Sequence, residues 1–250
     1  MVKLKTPEEI EIMKTGGEKL RNVVAELTPR ITEGVSTNDI DKWAEELIKG
    51  QGGESSFKRV PGYHWTICCP INEQVVHTPP STRKLKDGDV FTLDIGMYYK
   101  GFHTDFAKSW VIGKPKSPEY ISFLETGKDI LTRALSQIRT EKYLGEISDF
   151  IHEEITKRHY FILRELTGHG IGRDLHEDPS VPNYLDRPVQ KTMKIVPGLV
   201  VAIEVIYSMG TEEIAYEKDS EWSIRTQDNS MSACFEHTIA VTDTNTIILT

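Results

Sequence analysis

Thirteen consecutive residues, Thr167 to Pro179, hold two histidines (His169 and His176), three acids and three glycines. Imidazoles bind metals and pass protons near neutral pH. Glycine lets the backbone take positive φ or come close to a ligand. Clusters of this kind also occur in plain turns, so their chemistry depends on partners elsewhere in the chain. Four acids set in apolar runs supply such partners. Asp94 lies within Val90-Phe91-Thr92-Leu93-Asp94-Ile95, with Asp105 further along, Glu204 sits in the nearly unbroken apolar run 199–207, and Glu236 stands beside His237 in the run 231–241. An unpartnered buried carboxylate is among the costliest groups to hide. A divalent cation is the simplest resolution. Four carboxylates and one imidazole suit Mn, Fe, Co or Zn, and the excess of carboxylate suits two metals sharing bridging ligands. The spacing matches neither a zinc ribbon nor His-Glu-x-x-His, and there is no thiol cluster.

The elements that must carry these groups are legible from pattern. Thr6-Pro7-Glu8-Glu9 is a helix start with a capping box, and Ile10, Met13, Gly17, Leu20, Val24 and Leu27 continue it as one buried stripe to the stop at Pro29. Residues 37–49 form a second amphipathic helix ending at Gly50. The stretch 57–80 is irregular and carries Tyr63, His64, Trp65, Cys68, Asn72, Glu73 and His77, which without the later acids read as packing. Strand 90–95 returns along 103–111. A hairpin centred between Tyr99 and Lys100 sets Asp94 directly opposite Asp105, with Cβ atoms about 4.5–5.5 Å apart, close enough to raise each other's pKa unless a cation lies between. Helices over 117–139 and 145–158 follow, then a strand over 160–166, the Gly-His loop, and strands 199–207 and 231–241 separated by a polar excursion, 208–230, that contains Trp222. Helix, helix, acid-bearing strands, twice over, describe two pseudo-equivalent halves in an α+β arrangement with helices outside. The expectation is that their sheets face each other and the acids meet at the centre.

The 250 residues suffice for a sizeable core. A formal net charge of −8 argues against a general nucleic-acid binder. No apolar run approaches the ~20 residues that span a bilayer, and the opening residues lack the apolar stretch of a signal peptide, so the expected location is cytoplasmic. Three cysteines, two of them adjacent (Cys68, Cys69), do not form a disulfide framework.

The strings Gly62-Tyr63-His64, Ile71-Asn72-Glu73 with His77 following, Leu93-Asp94-Ile95, Gly101-Phe102-His103-x-Asp105, Gly168-His169-Gly170-Ile171-Gly172, His176-Glu177, Ala202-Ile203-Glu204 and Phe235-Glu236-His237-Thr238-Ile239 resemble, in order and over nearly the whole chain, the type I methionine aminopeptidase family. The resemblance implies a pita-bread fold, α+β, with two pseudo-symmetric halves, a central antiparallel sheet and outer helices, residues 1–250 forming one catalytic domain. It implies an enzyme that removes the initiator methionine from nascent chains with a small second residue, using two divalent ions. Asp94 would chelate one metal, Asp105 and Glu236 would bridge both, and His169 and Glu204 would complete the other. His77 would steady the amide of the second residue, His176 would hydrogen-bond the scissile carbonyl, and Glu204 would carry the proton. Tyr63, Cys68 and Trp222 match the methionine pocket. The implied partners are nascent polypeptide N-termini, with transient ribosome association a further expectation, no specific nucleic acid, no membrane, and a monomer. The chain departs from the family at Val205, where Ile-Glu-Pro is usual, at Leu175, often Phe, and in a shortened segment 63–72. These changes bear on specificity. Two alternatives stay open, a proline-specific aminopeptidase or prolidase of the same fold, and a non-catalytic binding protein built on it.

Overall fold

The computed structural model describes residues 2–250, Met1 lying outside the described residues. Thr6 caps helix α1 (Pro7–Leu27): its hydroxyl accepts the Glu9 N–H at 3.3 Å, and the Glu9 carboxylate accepts the Thr6 N–H at 2.9 Å. Gly17 interrupts the apolar stripe because the C-terminal segment crosses there. A Cβ would sit 2.1 Å from the Leu249 carbonyl oxygen. Helices α2 (Thr37–Gly50), α3 (Pro118–Ser136) and α4 (Leu144–Thr156) follow the expected pattern, with α2 running through Gly50 and α3 stopping short of Arg139.

The main sheet has ten strands, and its principal order is Glu54–Ser55, Val90–Tyr99, Phe102–Val111, Ser232–Val241, Val200–Ser208, Thr167–Gly170 and Glu177–Pro182, paired antiparallel throughout. The expectation that two sheets face each other is corrected: the halves join edge to edge. The 102–111 strand of the first half meets the 232–241 strand of the second through Glu236 opposite Ala107 and His237 opposite Phe106. The strand expected over 160–166 shrinks to Phe161–Ile162, and the start of the Gly-His loop is itself a strand, Thr167–Gly170, held between two neighbours. The excursion after Ser208 is a hairpin, Ile214–Tyr216 with Ile224–Thr226, whose second strand pairs with Gln74–Val76.

Side-chain alternation along a strand divides the sheet into two faces. Phe91, Leu93, Ile95 and Met97 pack beneath α1 and α2, while Val201, Ile203, Val205 and Tyr207, with Phe235 and Ile239, pack beneath α3 and α4. The residues of opposite parity, Asp94, Glu204 and Glu236, therefore share the other face. Val205 belongs to the helix side, so its replacement of the usual proline leaves the acid-bearing face untouched.

Candidate active site

The hairpin that positions the two aspartates turns through Lys100 (φ 47°) and Gly101 (φ 94°), a two-residue turn of the kind whose twist matches its strands. Tyr99 thus pairs with Phe102, Asp94 with Ala107, and Asp105 with Gly96. The directly opposed aspartates expected from a centre one residue earlier are corrected to a diagonal pair. Both remain on one face, because a shift of two positions preserves side-chain parity.

Asp94, Asp105, His169, Glu204 and Glu236 line a single cavity, together with His77, His176, Tyr63, Cys68 and Trp222. Ligand-capable atoms of Asp105, His169 and Glu236 lie within 4.8 Å of one another. Glu204 Oε1 stands 3.5 Å from His169 Nε2, and Asp94 completes the group from beside Asp105. The structure therefore brings together every site residue anticipated from sequence.

Burial first, and then mutual repulsion, hold the carboxyls of Asp94, Glu204 and Glu236 well above the usual carboxylate range, and burial raises Asp105 likewise. The imidazoles offer no counter-charge. Burial depresses His169 to about 3 and His77 to about 4, and lowers His176 as well. Glu236 Oε1 is buried without a hydrogen-bond partner. Two buried acids (Asp105 and Glu236) and two half-buried ones (Asp94 and Glu204), neutral imidazoles and an orphaned carboxylate oxygen are what a divalent-cation site requires of its ligands, so these residues fit the metal chemistry. The ring of His169 is already oriented for it: Nδ1 contacts the Gly170 carbonyl at 2.8 Å, and donation there leaves the Nε2 lone pair directed at Glu204.

The three glycines around His169 serve close approach. None has positive φ, and a Cβ on Gly168 would sit 2.5 Å from the Ala202 carbonyl oxygen. His77, by contrast, is a non-glycine residue in the left-handed region (φ 56°), presenting its ring to the cavity from the end of the Gln74–Val76 strand. The rings of His169 and His176 meet edge to face at 4.5 Å.

Beside the acids the cavity is apolar. Phe57, Tyr63, Cys68 and Leu175 belong to one buried cluster with Trp222 at its edge. Tyr63 meets Trp222 edge to face at 5.1 Å, and its hydroxyl donates to the Ile67 carbonyl at 2.8 Å with the Cys68 sulfur 3.2 Å away. All three cysteines are free and buried, as reduced thiols.

Sequence reasoning missed Thr238, Ser109 and Cys234. Thr238 Oγ1 accepts the Asp105 N–H at 2.8 Å and donates to the Asp105 carbonyl at 2.9 Å. Ser109 Oγ makes the reciprocal pair, donating to the Cys234 carbonyl at 2.9 Å and accepting its N–H at 3.0 Å. These hydroxyls stitch the halves where the short ladder has ended. Cys234 lines the cavity two residues before Glu236. Period-two counting from Glu236 would have put both Cys234 and Thr238 on the acid-bearing face.

The model of metallopeptidase family M24 matches residues 11–243. Methionine aminopeptidase 1 of Bacillus subtilis is 37% identical over 250 residues, covering 100% of this chain and 99% of that protein, and the methionine aminopeptidase of Escherichia coli K12 is 35% identical over 251 residues, 100% and 94%. Among solved structures, a methionine aminopeptidase from Thermotoga maritima superposes with a TM-score of 0.94 at 32% identity, covering 100% of this chain and 99% of that one. A prolidase from Pyrococcus furiosus shares the fold alone, with a TM-score of 0.79 at 21% identity over 98% of this chain and 64% of its own. Family match, full-length relatives and an acid-lined cavity agree: the chain belongs to metallopeptidase family M24 and, within it, to the methionine aminopeptidases, metal-dependent enzymes on the pita-bread fold.

Proposed function

We propose that this chain removes the N-terminal methionine of nascent proteins and peptides whose second residue is small, holding two divalent ions with Asp94, Asp105, His169, Glu204 and Glu236. The observation that carries the reading is the single cavity in which five such ligands adjoin an aromatic, thiol-edged pocket. In this reading Asp94, Asp105, His169, Glu204 and Glu236 would each offer a ligand atom to the ions. Bound there, such ions would supply Lewis acidity at the scissile carbonyl and the positive charge that would draw the four carboxyls into ionised form.

The remaining work falls to the chain's own side chains. Tyr63, Cys68 and Trp222 enclose the methionyl side chain, whose flexible thioether packs well against aromatic edges, and exclude water from the reacting bond. Neutral His77 steadies the backbone amide of the second residue. Neutral His176 donates to the scissile carbonyl oxygen, where negative charge develops. Glu204 accepts a proton from the attacking water and returns it to the leaving amine. Leu175, on the cavity wall beside His176, bears on which second residues fit.

We also propose that residues 1–250 act as one monomeric catalytic unit in the cytoplasm, meeting nascent chains with transient ribosome contact. Among the described residues no helix is long and apolar enough to cross a membrane. The test is an assay of metal-reconstituted protein on Met-Ala-Ser peptides beside Leu- and Pro-containing controls. Methionine release is expected. Preference for a proline-adjacent bond would overturn the substrate assignment.

A further inference from the structure

Lysine is among the residues least often buried, yet the Lys5 side chain is 4% exposed, and its ammonium lies 2.6 Å from the carboxylate of Glu177, itself 2% exposed. The ammonium also donates to the Lys3 carbonyl at 2.8 Å, and the other Glu177 oxygen accepts the Asp174 N–H at 3.1 Å. On the opposite side the Lys5 N–H donates to the Gly198 carbonyl at 2.8 Å. Gly172 is bare where the lysine stem crosses it: a Cβ there would sit 2.2 Å from Lys5 Cε. Its carbonyl accepts the His103 N–H at 2.7 Å. Two outer ion pairs run along the same line, Lys3 to Asp174 at 2.6 Å and Arg173 to Glu9 at 2.7 Å.

Glu177 follows His176 directly, and in the sheet it pairs with Gly170, which follows His169 directly. Whatever fixes Glu177 therefore bears on the spacing of the two imidazoles, across the register shift that separates His169 from Gly170 in this pairing. Exposed ion pairs contribute little to such rigidity. The Lys5–Glu177 pair is buried, and losing either partner strands a charge.

We propose that Lys5, acting through Glu177, is a positioning residue for His176. Residues 3–9 form a strap across the 172–177 loop that keeps this imidazole in register with the metal-ligand cluster. The inference rests on the reading of His176 as the group that faces the scissile carbonyl.

The experiment compares Lys5→Met, Glu177→Asp and His176→Ala, each metal-reconstituted, by kcat and KM on Met-Ala-Ser, bound metal per chain, and the 13Cε1 resonance of His176, identified by its loss in His176→Ala. Glu177→Asp keeps the charge while shortening the reach, so it reports even where Lys5→Met fails to fold. A displacement near 1 Å is expected to lower kcat about 10- to 100-fold with KM within about threefold, metal content unchanged and the His176 resonance moved. Parental kcat in a folded Lys5→Met or Glu177→Asp, beside a slow His176→Ala, would overturn the strap alone. A kcat loss matched by loss of metal would overturn it too, by assigning the strap to the ligands. Full turnover in His176→Ala would remove the reading beneath it, and both would fall.

Discussion

Thr238 holds both main-chain polar groups of Asp105, its hydroxyl oxygen accepting the N–H at 2.8 Å and donating to the C=O at 2.9 Å. The ladder between the two halves is only two residue pairs long. The position of an acid from the first half relative to Glu236 in the second thus depends on a side chain. Thr238→Val keeps the shape and deletes both bonds, leaving two buried backbone groups unpaired. The expected loss is about 2–4 kcal/mol, roughly 5–15 °C in Tm at this chain length, together with weaker metal binding by calorimetric titration. An unchanged Tm and unchanged affinity would show that the seam does not need the hydroxyl.

Asp105→Ala and Glu236→Ala are expected to abolish metal binding and peptidase activity together, since both acids lie in the three-residue cluster around His169. Full activity in either variant would sink the two-metal reading.

The metal-free protein should show a distinctive pH dependence. A carboxyl whose folded pKa is raised binds a proton that the unfolded chain has lost. Stability therefore falls as pH rises above the ordinary values of 3.8 and 4.5 toward the raised ones. The buried histidines act oppositely: His169 and His77, depressed from 6.5 to about 3 and about 4, lose stability as pH drops below 6.5. Above 6.5 the carboxyl effect remains, carried by Asp105, which burial raises to about 7, and by the neighbouring acids raised with it. EDTA-treated protein should then lose up to about 1.4 kcal/mol per pH unit for each carboxyl still in its window, roughly 3–6 °C in Tm. Added divalent cation should remove that slope. A flat Tm above pH 6.5 without metal would contradict the raised carboxyls.

His176→Ala should leave metal content intact and lower kcat at least about 100-fold, the usual loss on removing a donor to a developing oxyanion. Loss of metal instead would make His176 a ligand.

Trp222→Ala removes the ring that stands edge to face with Tyr63. The apolar surface lost from the methionyl pocket is worth about 1.5 kcal/mol, or roughly tenfold in KM for Met-Ala-Ser, with a smaller change in kcat. An unaltered KM would place the methionine side chain elsewhere.

Local pattern determined much of this protein. The Thr6–Glu9 capping box, the stripes of α1 and α2, the nearly unbroken apolar run around Glu204, the strand pattern around Glu236, and the mismatch of acids within them are written in neighbouring residues, because capping and side-chain alternation act over a few positions. Only the tertiary structure decided the register of the Asp94–Asp105 hairpin, which one turn residue shifts, and the edge-to-edge joining of the halves. The Thr238–Asp105 stitch and the Lys5–Glu177 pair belong there too. Each links residues more than a hundred positions apart, where no local propensity acts, and whether a hydroxyl or an ammonium finds its partner depends on how the sheet has brought the two strands together.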